Sequence, residues 1–437
     1  MRRTIQRLGN RWSKTRRGLA AITVGALLGQ GLLALSAPVL SRIYSPADIG
    51  VFSALLAISS AIGPAAALRL DAALMLPADR DEGRRLFRLA MWTVAAVSAI
   101  SAGCAAVAEK VHPGGAWSGV AYAPFWIGGM ILTAGTYMVL TQAVLRQRNY
   151  AAVAKRSVTQ SLGIVTGQIG LGLAGLGFVG LSAGYLLGRC VGYVPLMRVV
   201  DEFRKPPAAG SYRALIRKYW RFPVVFTPSV VLNSLGTQIP LLAIAWRYGS
   251  ESAGQLWMAQ RLAYIPASLL GISMANVFGA ELARIHREGL ATARHLYMRV
   301  SARMALVAVT VAVAFGVLGP WVMPWVLGPE WEDSGQLLQA MALSVAAGLV
   351  AAPLSGAFAV FQASTASVVV DLSRVILVGG AFAVALWIGT ESVGAAWLLY
   401  GAQAANYLFT WIYGLRVVSR HDAALRTPPG GSDPAAP

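Results

Sequence analysis

The chain has 437 residues, of which 56% are hydrophobic and only 13% are charged, and its mean hydropathy is +0.59. Soluble domains carry roughly a quarter charged residues, so this composition excludes an ordinary soluble enzyme or binding module. The 37 basic and 18 acidic side chains give a net charge of +19, which leaves nucleic acid, an anionic membrane surface or an acidic substrate as candidate partners.

Long hydrophobic runs follow one another along the chain, separated by short polar stretches. A helix needs ~20 apolar residues to cross a membrane. The first run, from Leu19 to Leu40, exceeds the roughly 7–15 apolar residues of a secretory signal, so we interpret it as an uncleaved helix. The predicted fold class is an all-α integral membrane protein with twelve transmembrane helices, at about 19–43, 49–77, 89–109, 119–145, 158–178, 179–199, 222–246, 253–283, 300–320, 335–361, 367–388 and 393–418.

The distribution of lysine and arginine predicts the orientation. With the N-terminus inside, 29 of the 37 lie in cytoplasmic segments, three in outer loops and five within the spans. By the positive-inside rule both termini are cytoplasmic, and the expected location is the bacterial inner membrane. This asymmetry explains most of the net charge without nucleic acid, and we interpret basic runs such as residues 1–18 as contacts with anionic phospholipid of the inner leaflet.

Two short sequences indicate a duplication. "YSPADIG" at 44–50 and "YGSESAG" at 248–254 both place Tyr and Gly six residues apart, and each precedes a long span and a basic loop. We therefore predict two six-helix lobes related by a pseudo-two-fold along the membrane normal, as in many transporters. The predicted segments are a basic cytoplasmic N-terminus (1–18), an N-lobe (19–199), a basic cytoplasmic linker (200–221), a C-lobe (222–418) and a disordered cytoplasmic tail (419–437).

Motifs of other protein classes are missing or have a simpler interpretation. The sequence has no Walker A motif and no HExxH, so the chain is not itself an ATPase, and no cofactor or metal is expected. "GLGLAG" at 170–175 matches GxGxxG, but no strand precedes it and it lies within an apolar span. We interpret it as close helix packing, as we do the row of Gly184, Gly188 and Gly192.

Charged side chains occur within the spans, where each costs ~3 kcal/mol at the bilayer centre, so they indicate a functional or a paired structural site. Arg69 and Asp71 are two residues apart, ~200° around a regular helix, so we do not expect them to pair unless Pro64 distorts the region. Each then needs water or a partner on another helix. An inter-helix ion pair and a role in a cavity both stay open.

The other charges within the spans are also mostly arginine. Asp371 and Arg374 share one helix face, so a structural pair and a binding site are both open. Arg261 has no acid within four residues, which favours a water-filled cavity; Arg189 lies near the middle of its span, and Arg303 lies near a helix end, from which it can reach the membrane surface. Five arginines against two aspartates attract an anionic ligand, and the planar guanidinium suits phosphate oxygens.

Residues 37–77, "APVLSRIYSPADIGVFSALLAISS…LRLDAALMLP", resemble the start of the bacterial O-antigen and oligosaccharide flippases of the multidrug/oligosaccharidyl-lipid/polysaccharide exporter superfamily. The family carries an Arg–Tyr–Glu-like triplet before Leu-Pro. This chain has Arg69, Leu70 and Asp71 before Leu76-Pro77, so the charges are kept and the tyrosine is missing.

Residues 259–285, "AQRLAYIPASLLGISMANVFGAELARI", are similar to helix 8 of the same superfamily. There an arginine is implicated at the diphosphate of the lipid carrier. Arg261 occupies this position, and Pro266 follows one place later than in the usual spacing. The resemblance implies a twelve-helix, two-lobed protein that works by alternating access.

We predict a flippase that moves undecaprenyl-diphosphate-linked oligosaccharide repeat units from the inner to the outer leaflet, for O-antigen, capsule or exopolysaccharide synthesis. We expect a monomer, with a proton or sodium gradient as candidate energy source and a glycan polymerase of the same pathway as candidate partner. A cation-coupled exporter of small molecules with the same fold stays open. A membrane glycan polymerase is the enzyme alternative, although the long outer loop expected for its catalytic groups is missing from the sequence.

The candidate residues form three groups. Those expected to bind the diphosphate are Arg261, Arg69, Arg189 and Arg374. Those expected to couple or switch transport are Asp71 and Asp371, because desolvation and a nearby arginine act on a buried carboxyl in opposite directions. The gate or turn candidates are Arg42, Tyr44, Gly50, Pro64 and Pro266.

Overall fold

The computed structural model describes residues 2–111, 120, 122–208 and 210–426, and every regular element in this part of the chain is helical. The all-α prediction is therefore confirmed. The helices are α1 (Arg2–Leu35), α2 (Ala37–Ile43), α3 (Pro46–Ile62), α4 (Leu70–Ala73), α5 (Arg80–Val111), α6 (Ala123–Arg146), α7 (Tyr150–Leu173), α8 (Gly177–Met197), α9 (Asp201–Arg204), α10 (Tyr212–Lys218), α11 (Thr227–Glu288), α12 (Ala293–Val313), α13 (Gly319–Leu327), α14 (Glu332–Leu354), α15 (Gly356–Val360), α16 (Ser364–Ile388) and α17 (Ser392–Arg426).

Eight helical segments among the described residues are long and apolar enough to cross a membrane, judged by length and composition. They are Ala20–Ile43, Pro46–Ala73, Arg80–Val111, Ala123–Arg146, Phe222–Tyr264, Ala293–Leu327, Pro329–Val360 and Thr365–Ile388. The remaining predicted spans fall on α7, α8, the second part of α11 and α17, which are helical but not among these eight. The protein is therefore a multi-pass membrane protein, and the arrangement of twelve helices in two lobes stays a prediction.

The second predicted span, 49–77, is not one continuous helix. α3 gives way to a 3₁₀ turn around Pro64, and α4 begins only at Leu70. Between them Leu68 and Arg69 have φ values of 48° and 57°, in the left-handed region, which costs ~1–3 kcal/mol for a residue other than glycine. The prediction of a continuous helix is wrong here because an apolar run reports burial in the membrane and not continuity of the backbone.

Two compact units make up the chain: Met1–Leu262 with Val322–Ser334, and Ala263–Trp321 with Gly335–Pro437. We call them the first and the second unit. Their boundaries differ from those of the predicted lobes, because the start of α11 and the segment before α14 belong to the first unit.

Helices α7 and α8 of the first unit pack backbone against backbone. A Cβ added to Gly184 would lie 2.5 Å from the backbone nitrogen of Gln168, and one added to Gly188 would lie 2.2 Å from that of Ile164. No side chain fits at either position. The predicted role of this glycine row in close helix packing is therefore confirmed.

The two copies of the duplicated motif contact each other within the first unit. A Cβ built on Gly50 would lie 1.6 Å from the carbonyl oxygen of Ser250, and one built on Gly254 would lie 1.9 Å from that of Pro46. Gly50 and Gly254 end the two motifs, whereas Pro46 and Ser250 are their third residues, so the contact is reciprocal. Reciprocal contacts of this kind are the signature of a two-fold relation, and they support the duplication at this point of the chain.

The two motifs make their turns in different ways. In the first copy, the Ser45 hydroxyl accepts a hydrogen bond from the Asp48 backbone nitrogen at 3.2 Å and caps α3. In the second copy, Gly249 has φ 88° and ψ 178°, a conformation that is essentially restricted to glycine. This residue divides α11 into two helices, which correspond to the predicted seventh and eighth spans.

The segment Val322–Ser334, which runs from α13 into the first turn of α14, completes the first unit through buried hydrogen bonds. The Ser41 hydroxyl donates to the Leu327 carbonyl at 2.8 Å, and the Trp331 indole donates to the Ser41 carbonyl at 3.1 Å. The Ser334 hydroxyl donates to the Gln255 carbonyl at 3.0 Å. Groups from α2, α11 and this segment thus satisfy one another away from solvent, as buried polar groups must.

The predicted linker, 200–221, contains the short helices α9 and α10. It is attached to the start of α5, where the Lys218 ammonium lies 2.6 Å from a carboxylate oxygen of Glu82 and the Tyr219 hydroxyl donates to the same oxygen at 3.0 Å. The hydrogen bond to Glu82 raises the pKa of Lys218.

In the second unit, α17 continues to Arg426, eight residues past the predicted end of the last span. The predicted disorder of the tail is therefore wrong for residues 419–426, and residues 427–437 lie outside the described part of the chain. The extension has a clear cause. The Asp422 carboxylate accepts hydrogen bonds from the backbone nitrogens of Ala293 and Arg294, at 3.1 and 2.9 Å, which caps the start of α12.

Candidate functional site

Arg69 and Asp71 lie together at the break after α3. Nη1 of Arg69 is 3.9 Å from Oδ2 of Asp71, whose side chain is 1% exposed, whereas that of Arg69 is 28% exposed. On a regular helix, the sequence predicts that Arg69 and Asp71 do not pair with each other, unless Pro64 distorts the region. The break after α3 is such a distortion, and it brings the two side chains together. Neither Oδ atom of Asp71 has a hydrogen-bond partner among the described residues, so a single long ion pair compensates this buried charge.

Arg146, at the end of α6, binds the chain that follows this break. Its Nη1 donates to the Leu74 carbonyl at 2.5 Å and its Nη2 to the Pro77 carbonyl at 2.6 Å. Charge counting assigns Arg146 to a cytoplasmic segment. In the structure it satisfies carbonyl groups that the interrupted helix leaves without intrahelical partners.

Arg261 binds the junction of α1 and α2. Its Nε donates to the Leu33 carbonyl at 2.9 Å, its Nη2 donates to the same carbonyl, and Nη2 also donates to the Ser36 hydroxyl at 2.7 Å. Its Cζ lies 4.9 Å from the centroid of the Trp257 ring. The charge is thus held by a carbonyl at a helix C-terminus, a hydroxyl and an aromatic ring, all of them neutral.

Two arginines and three tyrosines form a cluster between α6, α7 and α8, which we call the tyrosine–arginine cluster: Tyr137, Arg156, Tyr185, Arg189 and Tyr193. The Cζ of Arg156 lies 3.4 Å from the centroid of the Tyr137 ring, and that of Arg189 lies 5.8 Å from the same centroid. Nη1 of Arg189 donates to the Tyr185 hydroxyl at 2.7 Å. Both cations therefore share one aromatic ring.

Sequence reasoning missed Arg156, whose side chain is only 7% exposed. Charge counting assigns it to a cytoplasmic segment because Lys155 precedes it. However, α7 begins at Tyr150, so Arg156 lies well inside the helix. Two sequence features indicated that Arg156 is buried: the apolar residues 151–154 before it and Gln160 one turn after it. In the structure, Oε1 of Gln160 accepts a hydrogen bond from Nη2 of Arg156. Arg303, by contrast, is exposed.

Arg189 borders a cavity of about 210 Å³, which Ser59, Ser60, Tyr137 and Tyr185 also line. The Nε atoms of Arg156 and Arg189 are buried and have no hydrogen-bond partner among the described residues. Both guanidinium groups are positive and lie near one ring, so they repel each other. The hydrogen-bond partners of both arginines are neutral, so the positive charge at this cavity is not compensated.

Asp371 and Arg374 lie in the second unit, on α16, and both are 9% exposed. Nε of Arg374 donates to Oδ1 of Asn406 at 3.3 Å, and Nδ2 of Asn406 donates to the Ser373 hydroxyl at 2.8 Å, which joins α16 to α17. The Arg374 Cζ lies 5.8 Å from the centroid of the Tyr407 ring, which borders a cavity of about 90 Å³. Both readings of the pair, structural and binding, stay open.

The gate and turn candidates have structural partners. Arg42 is exposed and donates to the Pro38 carbonyl at 2.8 Å, near the end of α2. Tyr44 is 3% exposed, and its hydroxyl donates to the Gln168 carbonyl at 2.6 Å, which fixes the turn after α2 to α7. Pro266 lies in α11, and its side chain lies outside the described residues. A gating role for these residues, and for Gly50 and Pro64, stays a prediction.

Solved structures with the same fold are membrane transporters. The lipid II flippase MurJ, in an inward closed conformation, matches with a TM-score of 0.67 and 11% identity over 92% of this chain and 90% of that one. A MOP superfamily transporter from Pyrococcus furiosus, whose binding pocket is described as having reverse polarity, matches with a TM-score of 0.64 and 13% identity over 94% and 97%. An inward-facing multidrug resistance MATE family transporter of the same superfamily has a TM-score of 0.61 and 13% identity over 95% and 96%. These low identities show the fold alone.

The family is shown by the sequence itself. A model of the polysaccharide biosynthesis proteins matches residues 39–336, and the chain therefore belongs to the polysaccharide biosynthesis protein family. The resemblance to the oligosaccharide flippases of the MOP superfamily is confirmed by this match and by the fold. No curated protein matches the sequence.

Proposed function

We propose that the protein is a flippase that moves undecaprenyl-diphosphate-linked oligosaccharide from the inner to the outer leaflet of the bacterial inner membrane, for O-antigen, capsule or exopolysaccharide synthesis. One observation carries the proposal. Arg156, Arg189 and Arg261, all in the first unit, have only neutral hydrogen-bond partners. Uncompensated guanidinium groups attract phosphate oxygens and repel organic cations. The family and the transporter fold support the same function.

In this proposal the diphosphate leaves the inner leaflet and binds the arginines, while the polyprenyl tail stays in the hydrocarbon. Arg261 and Arg69 are the first diphosphate ligands and Arg189 is a further one, all in the first unit. Arg374, in the second unit, is a separate candidate. Alternating access then moves the head group to the outer side. The protein works as a monomer with both termini in the cytoplasm, and a proton or sodium gradient supplies the energy through Asp71 or Asp371.

The direct test is loss of the gene in a producing strain. Lipid-linked repeat units should accumulate on the inner leaflet, and a membrane-impermeant lectin should detect at most about a tenth of the wild-type level on the outer leaflet. Restoring the gene should restore labelling. Normal labelling without the gene would overturn the proposal. Export of a lipophilic cation by vesicles, or polymerisation of repeat units by the purified protein, would favour one of the two alternatives.

Asp71→Asn should uncouple transport from its ion gradient while substrate binding is kept. A carboxyl held by one long ion pair can exchange that partner for a proton or a sodium ion, whereas an amide carries no charge and takes up no proton near neutral pH. The measurement is flipping of lipid-linked oligosaccharide in proteoliposomes, with and without each gradient. Asp333→Asn, at an exposed carboxylate, is the matched control. Unchanged gradient dependence in Asp71→Asn would show that Asp71 is structural.

A further inference from the structure

Among the described residues, the hydrogen-bond partners of both arginines in the tyrosine–arginine cluster are neutral. Arg156 is 7% exposed, its Nε has no partner among the described residues, and its guanidinium lies on the ring of Tyr137. Arginine does not lose its proton in proteins, so burial cannot neutralise it as it can neutralise a lysine. A second guanidinium, that of Arg189, lies over the same ring. Two positive charges in such a site need an anion.

The adjoining cavity has a volume of about 210 Å³, below the ~300–1,000 Å³ of pockets for drug-sized ligands. A group as small as phosphate fits in this volume. The cavity is lined by Arg189 and Ser60, which offer a charged fork and a hydroxyl group to phosphate oxygens. The Ser59 hydroxyl, which also lines it, donates to the Leu55 carbonyl at 2.8 Å.

We propose that this cavity is a phosphate-binding site, with Arg189 as the ligand-contacting residue and Arg156 as a positioning residue that acts through the Tyr137 ring. Two cations and a planar fork favour a divalent oxyanion over chloride. The phosphate belongs either to the lipid diphosphate or to free inorganic phosphate. Only the first source rests on the proposed function, and the site itself does not depend on it.

The test uses the purified full-length protein in zwitterionic nanodiscs. Thermal unfolding is followed during titration with inorganic phosphate, against sodium chloride at equal ionic strength. A ligand that binds the folded state raises the unfolding temperature in a saturable way, so the titration gives a Kd. We expect saturable stabilisation by phosphate and none by chloride.

Variants then locate the site. Arg189→Gln should raise the Kd for phosphate at least tenfold, and Arg156→Gln about threefold to tenfold. Arg156→Lys should recover most of the affinity for phosphate, because lysine keeps the positive charge. If Arg156 were purely structural, its charge would not be required for phosphate binding. Arg303→Gln, at an exposed arginine, should match the wild type. A Kd for phosphate unchanged in Arg189→Gln, or equal stabilisation by chloride, overturns the proposal.

Folding and the source of the phosphate are checked separately. If Arg189→Gln does not fold, Arg189→Lys keeps the charge without the fork and should still raise the Kd several-fold; a wild-type Kd overturns the proposal.

Nanodiscs that contain undecaprenyl diphosphate should compete with inorganic phosphate if the lipid is the source. Phosphate binding without this competition supports the site with free phosphate as its ligand. A failure of the flippase proposal leaves the phosphate titration unchanged, so the two failures are distinguishable.

Discussion

Gly50→Ala is expected to abolish export and to lower the unfolding temperature of the purified protein. The added Cβ would lie 1.6 Å from the carbonyl oxygen of Ser250, a backbone atom that cannot rotate away. Helices α3 and α11 would have to separate. Overpacking costs ~1–3 kcal/mol or more, and we expect the upper end, which corresponds to about 3 °C for a chain of 437 residues. The measurements are thermal unfolding in detergent and surface glycan at equal protein level.

The reciprocal contact between the two copies of the motif can be tested from its other side with a second variant. Gly254→Ala places a Cβ 1.9 Å from the Pro46 carbonyl oxygen, so it should be nearly as damaging as Gly50→Ala. Gly103→Ala is the control, because a Cβ at that helical glycine meets nothing within 4 Å. If Gly50→Ala and Gly103→Ala unfold at the same temperature and export equally, close approach of α3 and α11 is not required for the stability or activity of the protein.

Arg261→Ala should eliminate surface glycan while the amount of protein in the membrane stays normal. The variant removes a cation that has only neutral partners in the structure. Arg261→Lys should restore export only in part, because an ammonium does not reproduce the planar fork that holds two phosphate oxygens. The measurements are surface glycan, by lectin labelling, and protein level, by immunoblot.

A structural role for Arg261 predicts a different pattern. The hydrogen bonds to Leu33 and Ser36 could simply hold the junction of α1 and α2. Ser36→Ala removes one of these partners and keeps the charge, so it should retain export if Arg261 binds the diphosphate. Loss of export in Ser36→Ala as complete as in Arg261→Ala would favour the structural role. Wild-type glycan in Arg261→Ala would exclude a role in binding the diphosphate.

Hydropathy predicts where the helices lie and does not predict where they break. The run at 158–178 appears as α7, which begins eight residues earlier and ends five residues earlier, and the run at 179–199 appears as α8, displaced by two residues. Pro64 gave a signal that this region could be distorted. The break near Arg69 depends on two left-handed residues, and because leucine and arginine rarely adopt that conformation, its exact position was not predictable. Gly249 is different, since a glycine between two apolar runs is an ordinary turn signal.

The partners of the arginines were less predictable than the arginines themselves. Arg261 is identifiable from its position in an apolar run, but its acceptor is a backbone carbonyl 228 residues earlier, and carbonyl groups carry no sequence signature. Arg156 was assigned to a cytoplasmic segment together with its neighbour Lys155, because the positive-inside rule counts charges and does not measure burial. Arg69 and Asp71 could be recognised as a pair only once the helix geometry was known.

The hydrogen bonds that complete the first unit have a consequence for the biogenesis of the protein. Trp331 donates to the carbonyl of Ser41, 290 residues earlier in the chain. At a synthesis rate of ~5–20 residues per second, a ribosome reaches Trp331 roughly 15–60 s after Ser41. During that time the polar groups of α2 lie in the membrane without these protein partners. The newly inserted N-terminal part of the first unit is therefore an incomplete structure until Trp331 has been made.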